Sequence, residues 1–243
     1  MTLFDIVPAS KLLVPIDLRR EEELSDFLVE LTASLDILLL GYWLVPDQSS
    51  PEQIRDQYRD EAEQTLQKLV DRFQLEKAAL ATRLAFTADV GKTIEEVANE
   101  ENCDAILVPR PVDDISSILI PVREAVSFDR LQNFVADLVE DYHSEITFLF
   151  FADSDKHDEK ELVIKGLKKV LGDRGVDEAS IREEVIDADN VTGDILKRAR
   201  GHDLIIMSRT APKLLNKLMR SVDEKVARGA LAPVIVVRHR EED

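Results

Sequence analysis

The stretch from Asp203 to Arg238, DLIIMSRTAPKLLNKLMRSVDEKVARGALAPVIVVR, contains the order of elements that decides the fold. Its first five residues are an apolar run that predicts a buried strand, and a helix follows, with apolar residues three or four positions apart at Leu214, Leu215, Leu218, Val222 and Val226. After Pro233, the β-branched run Val234 to Val237 predicts a second strand. A strand, a polar loop and a helix in this order form the place where α/β sheets hold small ligands.

The same alternation of strands and helices extends through the rest of the chain. Further strands are predicted at 11–17, 36–43, 82–86, 105–109, 117–122, 145–151 and 181–186. Helices are predicted between them, at 21–32, 50–73, 93–101, 128–138, 159–171 and 192–200. Alternating strands and helices indicate an α/β protein with parallel strands, right-handed crossovers and helices on both faces.

The pattern starts again near the middle of the chain. Ser117–Val122, SILIPV, repeats Lys11–Ile16, KLLVPI, and Asp203–Met207, DLIIM, repeats Asp104–Val108, DAILV. The repeat predicts two related parallel-sheet domains in tandem, residues 1–113 and 114–243, rather than one large sheet. The first domain passes from Pro109 directly into the second, so its last helix and last strand are predicted to be missing.

Composition limits the classes of partner. The net charge is −18, from 49 acidic against 31 basic residues, which disfavours nucleic acid and anionic membranes. The acid excess indicates either simple solubility or a halophilic protein whose stability rises with salt, because salt screens self-repulsion. The sequence lacks an apolar run of about 18 residues, and its start does not resemble a signal peptide. With a single cysteine, Cys103, which we expect to be buried, these features predict a cytoplasmic protein.

These strands and their spacing resemble the universal stress protein family in its tandem-domain form. The matching residues are the opening strand LLVPID, the DAILV and DLIIM strands, and the ending from Ser221-Val222-Asp223 to Ala232-Pro233-Val234-Ile235-Val236-Val237. The resemblance covers nearly the whole chain. It implies the adenine nucleotide alpha hydrolase-like fold, with five parallel strands in the order 3-2-1-4-5, and often dimers.

Family members that bind ATP have an aspartate at the end of the first strand and a glycine motif, G-x2-G-x9-G-[ST], after the fourth. In the second half, Ser208, Ala211 and Arg220 stand where the glycines would be, and Arg123 follows the first strand in place of the aspartate. The first half keeps Asp17 but has no loop after its fourth strand. The resemblance therefore implies that ATP binding is lost, although binding of ATP or another nucleotide stays open as an alternative.

Basic and hydroxyl residues near the ends of the first and fourth strands of the second half suggest a small-anion site. The set consists of Arg123, Ser208, Arg209, Thr210, Lys213, Arg220 and Ser221. The alternative is a solvated basic face. Asp17 could likewise hold an adenosine or simply end a buried strand. Gly91-Lys92-Thr93 is interpreted as a helix start, because position 86 lacks the glycine of a phosphate loop.

The four histidines match no metal-site spacing, and no catalytic set is recognisable. We therefore expect a protein without enzymatic activity. Together with this expectation, the resemblance implies a stress-response or regulatory protein that acts by binding, with a protein as one candidate partner. The alternatives are a nucleotide-binding domain with weak ATPase activity and a soluble regulator of a membrane transporter. The strand order that the resemblance implies places Pro233–Val237 at a sheet edge, and this uncharged strand is therefore expected to be the interface of a homodimer. Otherwise Leu3 to Val7 or another segment of the same chain would cover that edge.

Overall fold

The computed structural model describes residues 9–20, 24–75, 79–122, 128–139, 144–152, 157–187, 191–208 and 232–238. The strands are β1 (Lys11–Asp17), β2 (Asp36–Leu44), β3 (Ala79–Thr87), β4 (Ala105–Val108), β5 (Ser117–Val122), β6 (Glu145–Ala152), β7 (Ile181–Asp187), β8 (Leu204–Ser208) and β9 (Val234–Val237). The helices are α1 (Asp26–Thr32), α2 (Pro51–Leu75), α3 (Val90–Glu100), α4 (Phe128–Val139), α5 (His157–Asp173) and α6 (Val191–Ala199). Within the described ranges, the strand-helix alternation predicted from the sequence is confirmed. The predicted helix with Leu214, Leu215, Leu218, Val222 and Val226 lies outside those ranges.

All nine described strands belong to one sheet, in the order β3-β2-β1-β4-β9-β8-β5-β6-β7. The expectation of two separate sheets is therefore wrong. The strands β5 to β9 have the predicted order 3-2-1-4-5, and β1 to β4 have the same order without a fifth strand. Between β4 and β5, residues 109–116 contain neither helix nor strand, as the sequence predicted for the end of the first half.

The strand β9 is an interior strand, which corrects the prediction that Pro233–Val237 forms an exposed sheet edge. On one side β9 pairs in parallel with β8, and on the other it pairs antiparallel with β4, with Ala105 opposite Val237 and Val108 opposite Val234. The strand β4 is the segment of the same chain that covers it. Because both backbone edges of β9 are occupied, this strand cannot be the interface of a homodimer.

The antiparallel pairing of β4 and β9 makes the sheet continuous, and the hydrophobic core lies on both of its faces. On one face, side chains from both halves pack together beneath α1, α2, α4 and α5, and Ile235 and Val237 of β9 are among them. On the other face, Val108 of β4 packs with Val234 and Val236 in a cluster that also includes residues of α6. A first-half residue is thus part of the second half's core.

The aspartate that precedes β4 and its counterpart before β8 fix the starts of the neighbouring strands. The Asp104 carboxylate accepts a hydrogen bond from the backbone N–H of Lys11 at 2.9 Å. The Asp203 carboxylate accepts from the N–H of Ser117 at 3.0 Å and from its hydroxyl at 2.7 Å. Burial raises the pKa of Asp203, but hydrogen bonds from Ser117 and Ser116 lower it by more, so the pKa lies below its ordinary value. The carboxylate therefore stays charged and continues to hold the start of β5.

Arg238, directly after β9, attaches the second half to the end of helix α3 in the first half. Its side chain is only 6% exposed, and Nη1 donates to the carbonyls of Ala98 at 2.7 Å and Cys103 at 3.0 Å. Nη2 donates to the side-chain oxygen of Asn99 and lies 3.9 Å from the Glu95 carboxylate. A cation at the C-terminus of a helix is favourable because the last carbonyls there lack helical partners.

Candidate binding site at the carboxyl ends of the strands

Each half of the sheet contains a pair of strands that separate toward their carboxyl ends. The strands β1 and β4 pair only at Leu12–Ala105 and Leu13–Ile106. The strands β5 and β8 pair only at Ile118–Leu204 and Leu119–Ile205. Neighbouring strands that separate in this way leave a crevice between their carboxyl ends, and open α/β sheets bind ligands in such crevices. Because β4 and β9 are antiparallel, the strands of the two halves run in opposite directions, and the two crevices open at opposite strand ends.

Asp17, the predicted adenosine-binding residue of the first half, ends β1 and is 4% exposed. Its carboxylate is held by the residues that follow it. Arg19 donates from its backbone N–H at 3.1 Å, from Nε at 3.1 Å and from Nη2 at 3.0 Å, and Nε of Arg20 lies 3.6 Å away. The bidentate hydrogen bond to Asp17 raises the pKa of Arg19. The carboxylate is therefore already bound by its own chain.

The turn that returns Arg19 onto Asp17 depends on a close approach over β2. Leu18 lies on Gly41, where an added Cβ would come within 2.8 Å of Leu18 Cδ1 and 3.1 Å of Leu66 Cδ1. Glycine at position 41 therefore makes room for the turn. Arg19 Nη1 also donates to the Leu44 carbonyl at 3.3 Å, so the guanidinium joins the ends of β1 and β2. Arg19 was not among the site residues predicted from the sequence, although its position two residues after a strand-ending aspartate was an indication.

An aromatic cluster at the end of β2 was also missed. The ring of Trp43 stacks on Tyr58 of α2, with centroids 4.8 Å apart, and lies 6.3 Å from the ring of Phe86 in β3. Trp43 is 7% exposed and belongs to the core on the α2 face of the sheet. These contacts pack α2 against the sheet. They also make Trp43 a spectroscopic reporter of the first half, because it is the only tryptophan in the chain.

The linker after β4 provides no phosphate cradle in the first half. Arg110 is half-buried and donates from Nη1 to the carbonyl of Pro109 at 3.0 Å. Ile115 is 3% exposed, and its carbonyl accepts from the hydroxyl of Ser144 at 2.6 Å. The linker thus connects to the core of the second half instead of forming a loop and helix over the crevice.

In the second half, Ser208 is the one residue of the predicted anion-binding set that the structure describes. It ends β8, is half-buried and pairs in register with Val237. The remaining predicted residues lie outside the described part of the chain, namely Arg123, Arg209, Thr210, Lys213, Arg220 and Ser221. A further basic residue, Arg130, lies in the first turn of α4, which follows the carboxyl end of β5. Its Nη1 is buried and has no hydrogen-bond partner among the residues that the structure describes.

Two smaller interpretations concern α3 and Cys103. Gly91, Lys92 and Thr93 lie in the first turn of α3, where the Asp89 side chain accepts from the backbone N–H of Lys92 at 3.1 Å. The interpretation as a helix start is confirmed. Cys103 is buried, as expected, and burial raises the pKa of its thiol. A raised pKa disfavours the reactive thiolate.

Within the described ranges, no group of three or more histidine, cysteine, aspartate or glutamate side chains is arranged to hold a metal ion. The helices in that same part of the chain include none that is long and apolar enough to cross a membrane.

The fold described above is a mixed α/β fold with a mostly parallel sheet, of the adenine nucleotide alpha hydrolase-like kind. No protein-family model matches the sequence. No curated protein matches it either.

Solved structures with this fold are found among the universal stress proteins. A universal stress protein from Archaeoglobus fulgidus DSM 4304 is 14% identical, with a TM-score of 0.59, over 94% of this chain and 98% of that chain. A protein from Pseudomonas aeruginosa UCBPP-PA14, provisionally assigned to the same family, is 14% identical with a TM-score of 0.53, over 95% and 93%. A protein of unknown function from Pseudomonas aeruginosa PAO1 is 13% identical with a TM-score of 0.51, over 95% and 92%. The chain therefore has the universal stress protein fold.

Proposed function

We propose that this chain is a universal stress protein-like regulatory protein of the cytoplasm that acts by binding and not by catalysis, and that it does not bind ATP. Its two halves are interpreted as degenerate tandem domains, 1–113 and 114–243, each lacking a different part of the nucleotide site. The fold shared with universal stress proteins supports the class. The residues at the strand ends support the loss of nucleotide binding.

The observation that carries this proposal is the state of Asp17. A carboxylate can hold an adenosine only if its oxygens are open to ligand donors, and Arg19 already donates to both of them. A ligand would have to reach a carboxylate that is 4% exposed and compete with the three hydrogen bonds from Arg19. Charge-assisted bonds of this kind contribute about 1.5–3 kcal/mol each. A polyphosphate would also find no backbone cradle after β4, because residues 109–116 lead directly to β5.

The second half lacks the complementary part of the site. Glycines allow backbone N–H groups to approach phosphates closely, and side chains at Ser208, Ala211 and Arg220 would crowd such an approach. The same half has Arg123 where an aspartate would contact the nucleoside. Each half therefore provides at most a fragment of an ATP site. Because β4 and β9 are antiparallel, the two fragments lie at opposite strand ends and cannot be combined within one chain.

Isothermal titration calorimetry with magnesium ATP and with AMP tests the proposal. We expect no binding tighter than about 1 mM, which corresponds to a binding free energy weaker than about −4 kcal/mol. The variant Arg19→Ala, which releases Asp17, is the matched control. It should still not bind ATP, because the phosphate cradle is missing. Micromolar affinity in the parent protein, or release of phosphate from ATP, would contradict the proposal.

A second candidate function, binding of a small anion by the second half, is favoured by Arg130. A buried guanidinium N–H without an acceptor costs about 1–3 kcal/mol, and an oxyanion near the end of β5 would supply an acceptor. Inorganic phosphate and sulfate serve as the probes in the same calorimeter. Arg130→Ala and Arg123→Ala should each weaken their binding about tenfold or more. Lys92→Ala, on exposed helix α3 surface, should leave it unchanged. If the parent binds neither ion, this candidate is rejected.

A further inference from the structure

The outer edge of β3 differs from a normally protected sheet edge. The strand β3 is one of the two outermost strands, and all nine of its residues pair with β2 in continuous register. Within the described part of the chain, no strand pairs with its other side. Natural sheets protect such edges with charges, prolines, bulges or short strands, because open edges recruit other strands. In the described β3 the charge is limited to one residue, Arg83.

The one charged side chain of β3, Arg83, forms an ion pair within its own chain. The guanidinium of Arg83 donates to the Glu101 carboxylate from Nε at 3.0 Å and from Nη2 at 2.5 Å. The same carboxylate accepts from Lys11 Nζ at 3.1 Å. This single ion pair leaves the other eight residues of β3 uncharged, so most of the edge carries no protective charge.

The opposite edge strand, β7, has the usual protection. Its sequence, IREEVID, has charged residues on both faces of the sheet. Glu183 pairs with Lys168 at 2.7 Å, Glu184 pairs with Arg198 at 2.7 Å, and Arg182 pairs with Glu145. A strand from another molecule would have to dehydrate these charges. Of the two edges, β3 is therefore the one suited to pairing.

Apolar side chains of β3 are only partly covered. Leu80, Leu84 and Phe86 are half-buried and pack against the core on the α2 face. On the other face, Ala79 and Ala81 are exposed and too small to block an approaching strand. A neighbouring strand would therefore complete the burial of three apolar side chains and satisfy the open backbone groups of the edge.

The charge distribution of α2, which packs on β3, favours a second copy of the chain as the occupant. Residues 51–63 carry five acidic and two basic side chains, a net charge of −3, whereas residues 64–75 carry one acidic and two basic side chains, a net charge of +1. A two-fold axis perpendicular to the sheet keeps both α2 helices on the same face and makes them antiparallel. The acidic half of each helix then lies beside the basic half of the other.

We propose that the protein forms a homodimer in which the β3 strands of two copies pair antiparallel and extend the sheet across the two-fold axis. When the axis passes at Thr82 or Leu84, Arg83 faces Ala81 or Ala85 of the second copy, so that the two arginines do not oppose each other. The interface is self-complementary because each copy contributes the same open edge. It replaces the β9 interface predicted from the sequence.

Light scattering after gel filtration tests this dimer. We expect the parent protein to have twice the mass of one chain, and Ala81→Lys/Thr82→Lys, which adds charge at two exposed edge positions, to have half the parent's mass. Val185→Lys is the matched control, since Val185 is 60% exposed on the protected edge β7, and it should stay dimeric. Trp43 fluorescence verifies that both variants are folded.

Hydrogen exchange of the backbone amides tests the interface in the parent protein, without a variant. Backbone amides of residues 79–87 should be more protected at concentrations where the dimer forms than after dilution to monomer. A monomeric parent, or a dimer that persists in the Ala81→Lys/Thr82→Lys variant, overturns the proposal. Protection of β3 that is independent of protein concentration points to a segment of the same chain on this edge, and it also overturns the proposal.

Discussion

Replacement of Val236 by lysine is expected to destabilise both halves of the protein strongly. Val236 lies in the middle of β9, is 3% exposed, and packs with residues of both halves. Its neighbours in the sheet are Ile106 of β4 and Met207 of β8. A lysine there would bury an ammonium group without an acceptor, which costs more than about 4 kcal/mol, a large part of the typical 5–15 kcal/mol of a folded protein.

Thermal unfolding followed by Trp43 fluorescence and by far-UV circular dichroism measures this effect. The melting temperature should fall by roughly 10 °C or more, since 1 kcal/mol corresponds to about 2–4 °C for a chain of this size. Val185→Lys introduces the same side chain at an exposed strand position and should change stability by less than about 0.5 kcal/mol. If Val236→Lys melts at the same temperature as the parent and only its oligomeric state changes, then β9 is an edge strand and the sheet order described here is wrong.

The second large effect is expected for Arg238→Ala. The alanine removes the guanidinium that the carbonyls of Ala98 and Cys103 share. The Cys103 carbonyl then loses this donor, whereas the Ala98 carbonyl keeps only the backbone N–H of Cys103 at 2.9 Å. The loss should destabilise the chain by about 3 kcal/mol, as is typical when one side of a buried charged contact is removed. Because the contacts are with the end of α3, the destabilisation should be visible in the fluorescence of Trp43, which lies in the first half.

Arg238→Lys provides the matched control for this site. Lysine keeps the positive charge at the helix end, but one ammonium group cannot reproduce the planar fork that reaches two carbonyls and Asn99. We expect it to recover less than half of the lost stability. Arg83→Ala, which breaks an exposed ion pair, should cost no more than about 1 kcal/mol. A loss for Arg238→Ala as small as that for Arg83→Ala would contradict the described role of Arg238.

Local sequence patterns were sufficient to predict most elements and much of their order. The runs LLVPID, DAILV and DLIIM form β1, β4 and β8, because continuous apolar runs are typical of parallel strands buried on both faces. The strand β3 is longer than predicted, since Ala79 to Ala81 also pair with β2. Alanine has low strand propensity, and here the pairing with β2 decides the structure.

The neighbours of β9 could not be predicted from its own residues. An apolar run shows that a strand is buried on both faces, but the choice of the strand beside it depends on contacts far away in the sequence. The missing fifth strand of the first half leaves one side of β4 open, and β9 fills it. The uncharged row Val234–Val237 was interpreted as an exposed edge. In physical terms it favoured the opposite, since an edge strand normally carries protective charges.

The candidate site was predicted less completely than the fold. The sequence correctly placed Asp17 at the end of a buried strand, but the contact with Arg19 depends on a turn in which Leu18 packs closely over Gly41. Such a turn follows from tertiary packing and not from local periodicity. In the second half, Ser208 lies at the predicted strand end. The other predicted anion-binding residues of that half fall outside the described ranges, so their grouping stays a prediction.

The strands β4 and β9 of one chain are antiparallel neighbours, and this pairing joins both halves into one sheet. A disulfide between Ala105→Cys and Val237→Cys tests it most directly. These residues are directly opposite, and their volumes together nearly equal those of two cysteines. Because Arg238 N–H donates to the Asp104 carbonyl at 2.7 Å, the adjacent 105–237 pair is non-hydrogen-bonded, with Cα atoms about 4.5 Å apart. A disulfide can span that distance.

After oxidation, mass spectrometry of unreduced peptides locates the bond and distinguishes it from any bond to Cys103. The described sheet predicts a disulfide between positions 105 and 237 within one chain, formed in the folded protein. A bond that links two chains, or two free thiols that remain after oxidation of the folded protein, would contradict the account.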